Sequence, residues 1–103
     1  MRDKRIHERV PVDLPVLYQG NTRSYLNGRA LDISKGGMFI QTDKAQKEGS
    51  YILADLDVEA LGKIIWAQGW VVRTTRQGMA IAFTRLDAKG IDTIILMNRT
   101  LRA

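Results

Sequence analysis

Arg5 and Arg9 stand in a cationic N-terminal stretch, and Asp32, Ser34, Gly36 and Gly37 follow in the run Asp-Ile-Ser-Lys-Gly-Gly. The first pair reads RxxxR and the second group DxSxxG, with Asp32 23 residues beyond Arg9. A guanidinium offers two N–H donors in a fork that matches O6 and N7 of guanine and also clasps phosphate oxygens. A carboxylate accepts from the N1–H and N2–H₂ edge of the same base, which arginine cannot do. Glycine lets backbone N–H groups come close to an anion. Together these residues suit the grip of a phosphate-bearing purine. They also admit plainer readings. RxxxR is compatible with a solvated basic arm, and Asp-x-Ser-x-x-Gly with a turn whose side chains satisfy local backbone N–H groups.

The elements that must position them follow from periodicity. Residues 2–9 hold Ile6 as their one apolar side chain, so the segment cannot bury enough surface to order itself and is expected to be mobile until bound. Val10, Val12, Leu14, Val16 and Tyr18 alternate with other residues, which signals a strand over 10–18. Pro11 and Pro15 argue against a helix there and suit the beginning of an edge strand. Further strands are expected over 24–33, 38–41, 51–58, 63–75 and 79–84, separated by turns at Gly20-Asn21, Ser34 to Gly37, Gly49-Ser50, Leu61-Gly62 and Gln77-Gly78. Gly69, inside the longest strand, predicts a bulge or a close backbone contact. The tail changes period. Ile91, Ile94, Ile95 and Leu101 share a helical stripe, widened by Leu96 and Met97, and Asp87 is placed as the N-cap of a helix over about 87–101. About six short strands and one helix point to a small antiparallel barrel with a helical lid, whose closure removes sheet edges.

Composition bounds the function classes. The 103 residues suffice for one small domain, and an apolar content of 45% is ordinary for a packed globule. With no cysteine there is no disulfide, thiolate metal site or thiol nucleophile. His7 is the lone histidine and cannot anchor a metal site by itself. Aspartates and glutamates fall mainly in turns and polar stretches without an acid/base pair, so no enzyme and no cofactor are expected. No apolar run reaches the length of a membrane span, and the basic start is not followed by an apolar signal core, so the expected location is the cytoplasm. The net charge of +5 and pI of about 9.9 favour anionic partners.

Taken in order, these features resemble the PilZ domain family of bacterial cyclic di-GMP receptors. The resemblance rests on Lys4-Arg5-Ile6-His7-Glu8-Arg9 and on Asp32 through Ile40. Gly69-Trp70-Val71-Val72-Arg73 and Gly78-Met79-Ala80-Ile81-Ala82-Phe83 are similar to the family's late-strand pattern, although Ala80 stands where the family often has glycine. It implies an all-β dominated fold, a PilZ-like split barrel of six antiparallel strands with one C-terminal α-helix. Residues 1–9 would form a flexible basic arm, and residues 10–103 the barrel and helix.

By the same resemblance, cyclic di-GMP is the ligand, and Arg5, Arg9, Asp32, Ser34 and Gly37 bind it. Gly37 would leave room for the ligand and adopt an unusual backbone angle. Lys4, Gly36 and Arg73 are additional candidates. The arm would order on binding and signal to an unidentified protein partner, with the chain a monomer or homodimer. Trp66 and Trp70 are expected to pack under the helix, the alternative being a base-stacking platform. Two other functions stand beside the receptor: a small basic barrel binding single-stranded nucleic acid, which is the less favoured partner class, and a PilZ-fold adaptor that uses no ligand.

Overall fold

The computed structural model describes residues 8–102. Six strands come first: β1 (Val10–Gln19), β2 (Tyr25–Ile33), β3 (Gly37–Gln41), β4 (Tyr51–Val58), β5 (Lys63–Thr74) and β6 (Gly78–Leu86). Helix α1 (Ala88–Arg102) ends the chain, and a single 3-10 turn (Glu59–Leu61) links β4 to β5. Of the expected basic arm, Lys4, Arg5 and His7 lie outside the described residues.

The strands close into an antiparallel barrel in the order β1-β2-β3-β6-β5-β4. The expected class, a closed six-stranded barrel with a C-terminal helix, is the observed one. Closure changes the meaning of the two prolines. β1 pairs with β2 from Val10 to Gln19 but with β4 only from Val16 to Gln19. Pro11 and Pro15 therefore sit in the half of β1 that β4 does not reach. There a missing N–H breaks no second ladder. β1 is thus half edge and half interior, and α1 packs against this strand.

Alternation fills the barrel with small and branched side chains. Val16, Tyr18, Ala30, Ile40, Ile52, Leu56, Ile65, Ala67, Val71, Met79 and Ile81 are buried. Tyr18 is fully buried, and its hydroxyl donates to the Lys44 carbonyl at 2.8 Å and lies 2.9 Å from Thr42 Oγ1. α1 closes the barrel with Ile91, Ile94 and Ile95. Asp87 caps it as expected: its Oδ1 accepts from the Gly90 amide at 3.0 Å. Leu96 does not join the apolar arc assigned to it and is 59% exposed, whereas Met97 is half-buried.

The tryptophans are the clearest correction. Trp66 and Trp70 point outward, 39% and 48% exposed, and are not buried beneath α1. Both parities of β5 are apolar around Ile64-Ile65-Trp66-Ala67, so period alone could not choose the inner face. A six-stranded barrel has a narrow interior, which accepts Ile65, Ala67 and Val71 and leaves the indoles outside. The expected irregularity at Gly69 is present. The β5–β6 register shifts between Gln68 and Gly69, and a Cβ at Gly69 would lie 2.0 Å from the Ala82 carbonyl oxygen.

Candidate functional site

Strand pairing builds the site. β1 and β2 run antiparallel with Val10 opposite Ile33 and Pro11 opposite Asp32. Arg9, immediately before β1, is thereby delivered to the end of β2. Its Nη1 donates to Asp32 Oδ1 in an ion pair whose side chains are 47% and 38% exposed. RxxxR and DxSxxG, far apart in the chain, thus meet through at least one residue of each. Arg5 and Lys4 lie outside the described residues.

The β2–β3 turn is held from inside. The Ser34 amide donates to the Gly37 carbonyl at 2.8 Å, and the Gly36 amide donates to Ser34 Oγ at 3.1 Å. Ser34 is buried, so the turn reading of DxSxxG holds for its serine. Asp32 behaves differently, because its carboxylate faces the arginine. Gly36 fastens the turn to the barrel, its carbonyl accepting from the Phe83 amide at 2.9 Å.

Gly37 is a glycine for another reason than the expected backbone angle. Positive φ occurs at Gly49 and Gly62 but not at Gly37. Instead, a Cβ at Gly37 would stand 2.2 Å from the Ile81 carbonyl oxygen, inside any tolerable contact. The residue lets β3 and β6 approach closely, with Gly37 in register with Ala82.

Arg73 is exposed on β5, in register with Ala80. Ala80 pairs onward with Phe39 of β3, and Phe39 with Asp32 of β2. Arg73 is therefore three strands along the ring from Asp32, which is half its circumference. The structure brings Arg9, Asp32, Ser34, Gly36 and Gly37 into one neighbourhood and leaves Arg73 apart.

Two charge contacts that sequence reasoning missed flank this neighbourhood. Lys35, inside the turn, pairs with Asp92 of α1 at 3.2 Å. Glu8 pairs with Arg99 of α1 at 2.6 Å. No local pattern could have foretold either, since the helix meets these residues only after the barrel closes. Among the described residues, no group of three His, Cys, Asp or Glu side chains is placed to hold a metal ion. Nor is any described helix long and apolar enough to cross a membrane.

Comparison with known proteins gives this geometry its class. The sequence matches the PilZ domain over residues 3–97, nearly its whole length, and the chain belongs to the PilZ domain family. That family comprises receptor and adaptor modules for cyclic di-GMP. The fold is similar to the Bacillus subtilis inhibitor of motility MotI/DgrA, with a TM-score of 0.77 at 14% identity. That alignment covers 98% of this chain and 52% of the other, so the chain spans about half the length of that relative. No curated protein matches the sequence.

Proposed function

We propose that this chain is a cyclic di-GMP receptor that grips its ligand between the N-terminal arginines and the DxSxxG turn. The observation that carries the reading is the Arg9–Asp32 ion pair, which joins the two family motifs at the end of β2. In this reading Arg5 and Arg9 take guanine and phosphate, and Asp32 accepts from the N1–H and N2–H₂ edge. The Ser34 hydroxyl, which already accepts from Gly36, keeps its own proton to donate to a ligand oxygen. Gly37 holds β3 close to β6 beneath the ligand, and Lys4 and Gly36 lie beside these contacts in sequence. A ligand would have to extend along Phe39 and Ala80 to reach Arg73.

Exchange of partners at the pair costs little. Half-exposed ion pairs contribute roughly 0–1 kcal/mol, whereas each charge-assisted contact to a ligand is worth about 1.5–3 kcal/mol. Opening Arg9 from Asp32 to admit a base and a phosphate is therefore favourable. Glu8 and Arg9 are already held by Arg99 and Asp32, and the composition of residues 2–7 supports an arm that orders as it binds, which takes a share of the binding energy. Lys35 and Glu8 link the site to Asp92 and Arg99, so a shift at the turn is passed to α1 and onward to a protein partner.

Isothermal titration calorimetry with cyclic di-GMP tests the reading directly. Binding is expected in the micromolar range or tighter, weakened roughly ten- to a hundredfold by Arg5→Ala, Arg9→Ala or Asp32→Ala. Absence of heat at tens of micromolar protein in low salt would overturn it.

A second reading, single-stranded nucleic-acid binding, gains from the exposure of Trp66 and Trp70. It predicts a steep salt dependence and loss on Trp→Ala substitution at either position. Asp55, in register with Trp66, stands against it, because a carboxylate beside the stacking ring repels a phosphate backbone.

A further inference from the structure

The outer wall of β1, β4 and β5 carries an apolar face that the barrel does not use. Leu17, Leu53, Ile64 and Trp66 point outward there, 45%, 40%, 60% and 39% exposed. Two carboxylates are set into this surface. The register puts Asp55 between Leu17 on β1 and Trp66 on β5, and Asp57 opposite Ile64. Neither carboxylate has a hydrogen-bonding or ion-pair partner among the described residues.

We propose that this face docks a segment of another protein in which apolar side chains alternate with lysine or arginine. Covering Leu17, Leu53, Ile64 and Trp66 supplies the driving force. The same cover takes Asp55 and Asp57 out of water, which is unfavourable unless a cation arrives with it. A wholly apolar partner is thereby disfavoured, and an acidic one more so. A guanidinium lying over the Trp66 ring while it meets Asp55 would satisfy both neighbours at once.

A second copy of this chain is the poorer occupant. A two-fold contact sets the same patch against itself and brings like carboxylates together. Over Leu53–Leu56 strand addition is closed off as well, since β4 is paired there by both β1 and β5. Recognition must run through the outward side chains. The face uses none of Arg9, Asp32 or Ser34, so it leaves the proposed dinucleotide site free. It names the partner surface for the effector role proposed above, but its chemistry does not depend on that ligand.

The test is a random-sequence peptide library displayed on phage, selected against the full chain without cyclic di-GMP. Enriched peptides are expected to combine aliphatic or aromatic residues with Lys or Arg. They should bind the wild-type chain at least about tenfold more tightly than an Asp55→Lys/Asp57→Lys variant. An Asp55→Asn/Asp57→Asn variant, nearly isosteric, guards against a folding defect and should show an intermediate loss. Amide shifts on titrating one enriched peptide should map to Leu17, Leu53, Asp55, Ile64 and Trp66. Four results overturn the proposal: no enrichment, uncharged or acidic peptides, equal binding to the charge-reversed variant, or shifts on another face. Self-association through this wall in sedimentation velocity would also overturn it, in favour of a homodimer. Because the selection contains no dinucleotide, its failure is separate from failure of the calorimetric titration.

Discussion

Glu8 and Arg99, 91 residues apart in the chain, meet at 2.6 Å and bind the approach to β1 onto helix α1. Arg9 is the next residue, so the contact lies one position from the guanidinium that engages Asp32. Lys35 and Asp92 make the matching contact from the turn side. Both halves of the candidate site are therefore fastened to the same helix.

The Glu8–Arg99 side chains are half-exposed, and the energetic expectation follows from that. Arg99→Ala should change unfolding stability by less than about 1 kcal/mol. Urea melts in low and high salt check this, with the difference between variant and wild type disappearing at high ionic strength.

Arg9 and Asp32 are coupled to each other as well as to the proposed ligand. In a double-mutant cycle on cyclic di-GMP affinity, Arg9→Ala and Asp32→Ala should therefore be non-additive. Each single substitution should cost about ten- to a hundredfold, and the double should cost less than the product. Calorimetric titration of the four proteins measures the coupling. Strict additivity would mean that the two side chains act on separate sites.

Gly37→Ala inserts a methyl 2.2 Å from a backbone carbonyl, which cannot rotate away. The strands must separate, so the expected loss is about 1–3 kcal/mol of stability. Denaturant unfolding reads it without any ligand present. A stability equal to wild type would mean that the β3–β6 approach is looser than the structure has it.

Tyr18 provides a pH signature. Burial raises its phenol above the ordinary value of 10.0, opposed by the Thr42 hydrogen bond and reinforced by the Asp43 charge. The folded state therefore keeps this proton after the unfolded chain has lost it. Its contribution is fully present below the unfolded pKa and is lost as pH rises through 10.0 toward the folded value. Urea midpoints measured from neutral to strongly alkaline pH should fall more steeply in wild type than in Tyr18→Phe. The variant should also lose about 0.5–1.5 kcal/mol at neutral pH, the net worth of the Tyr18–Lys44 hydrogen bond, since the Lys44 carbonyl keeps Gln46 Nε2 as a donor.

Much of this protein was legible before any coordinate. Alternation at Val10, Val12, Leu14, Val16 and Tyr18 announced β1, and the stripe Ile91, Ile94 and Ile95 with Asp87 ahead of it announced α1. Such features are local. A pleat has period two and a helix 3.6, so the apolar spacing and capping chemistry carry their own structure. The residue types of Arg9, Asp32 and Ser34 likewise declared which chemistry they suit, since a fork, a carboxylate and a hydroxyl have fixed hydrogen-bonding capacities.

Tertiary structure alone decided the rest, for reasons of distance along the chain and room inside the barrel. Whether Trp66 or Ile65 faces inward depends on the width of a closed six-stranded ring, which no window of sequence contains. Gly37 owes its identity to a carbonyl on Ile81, brought up by strand pairing rather than by its own turn. The contacts of Glu8 with Arg99 and of Lys35 with Asp92 exist only because closure sets α1 beside both ends of the site. Pairwise charge attraction has no sequence period, so long-range contacts of this kind appear first in three dimensions.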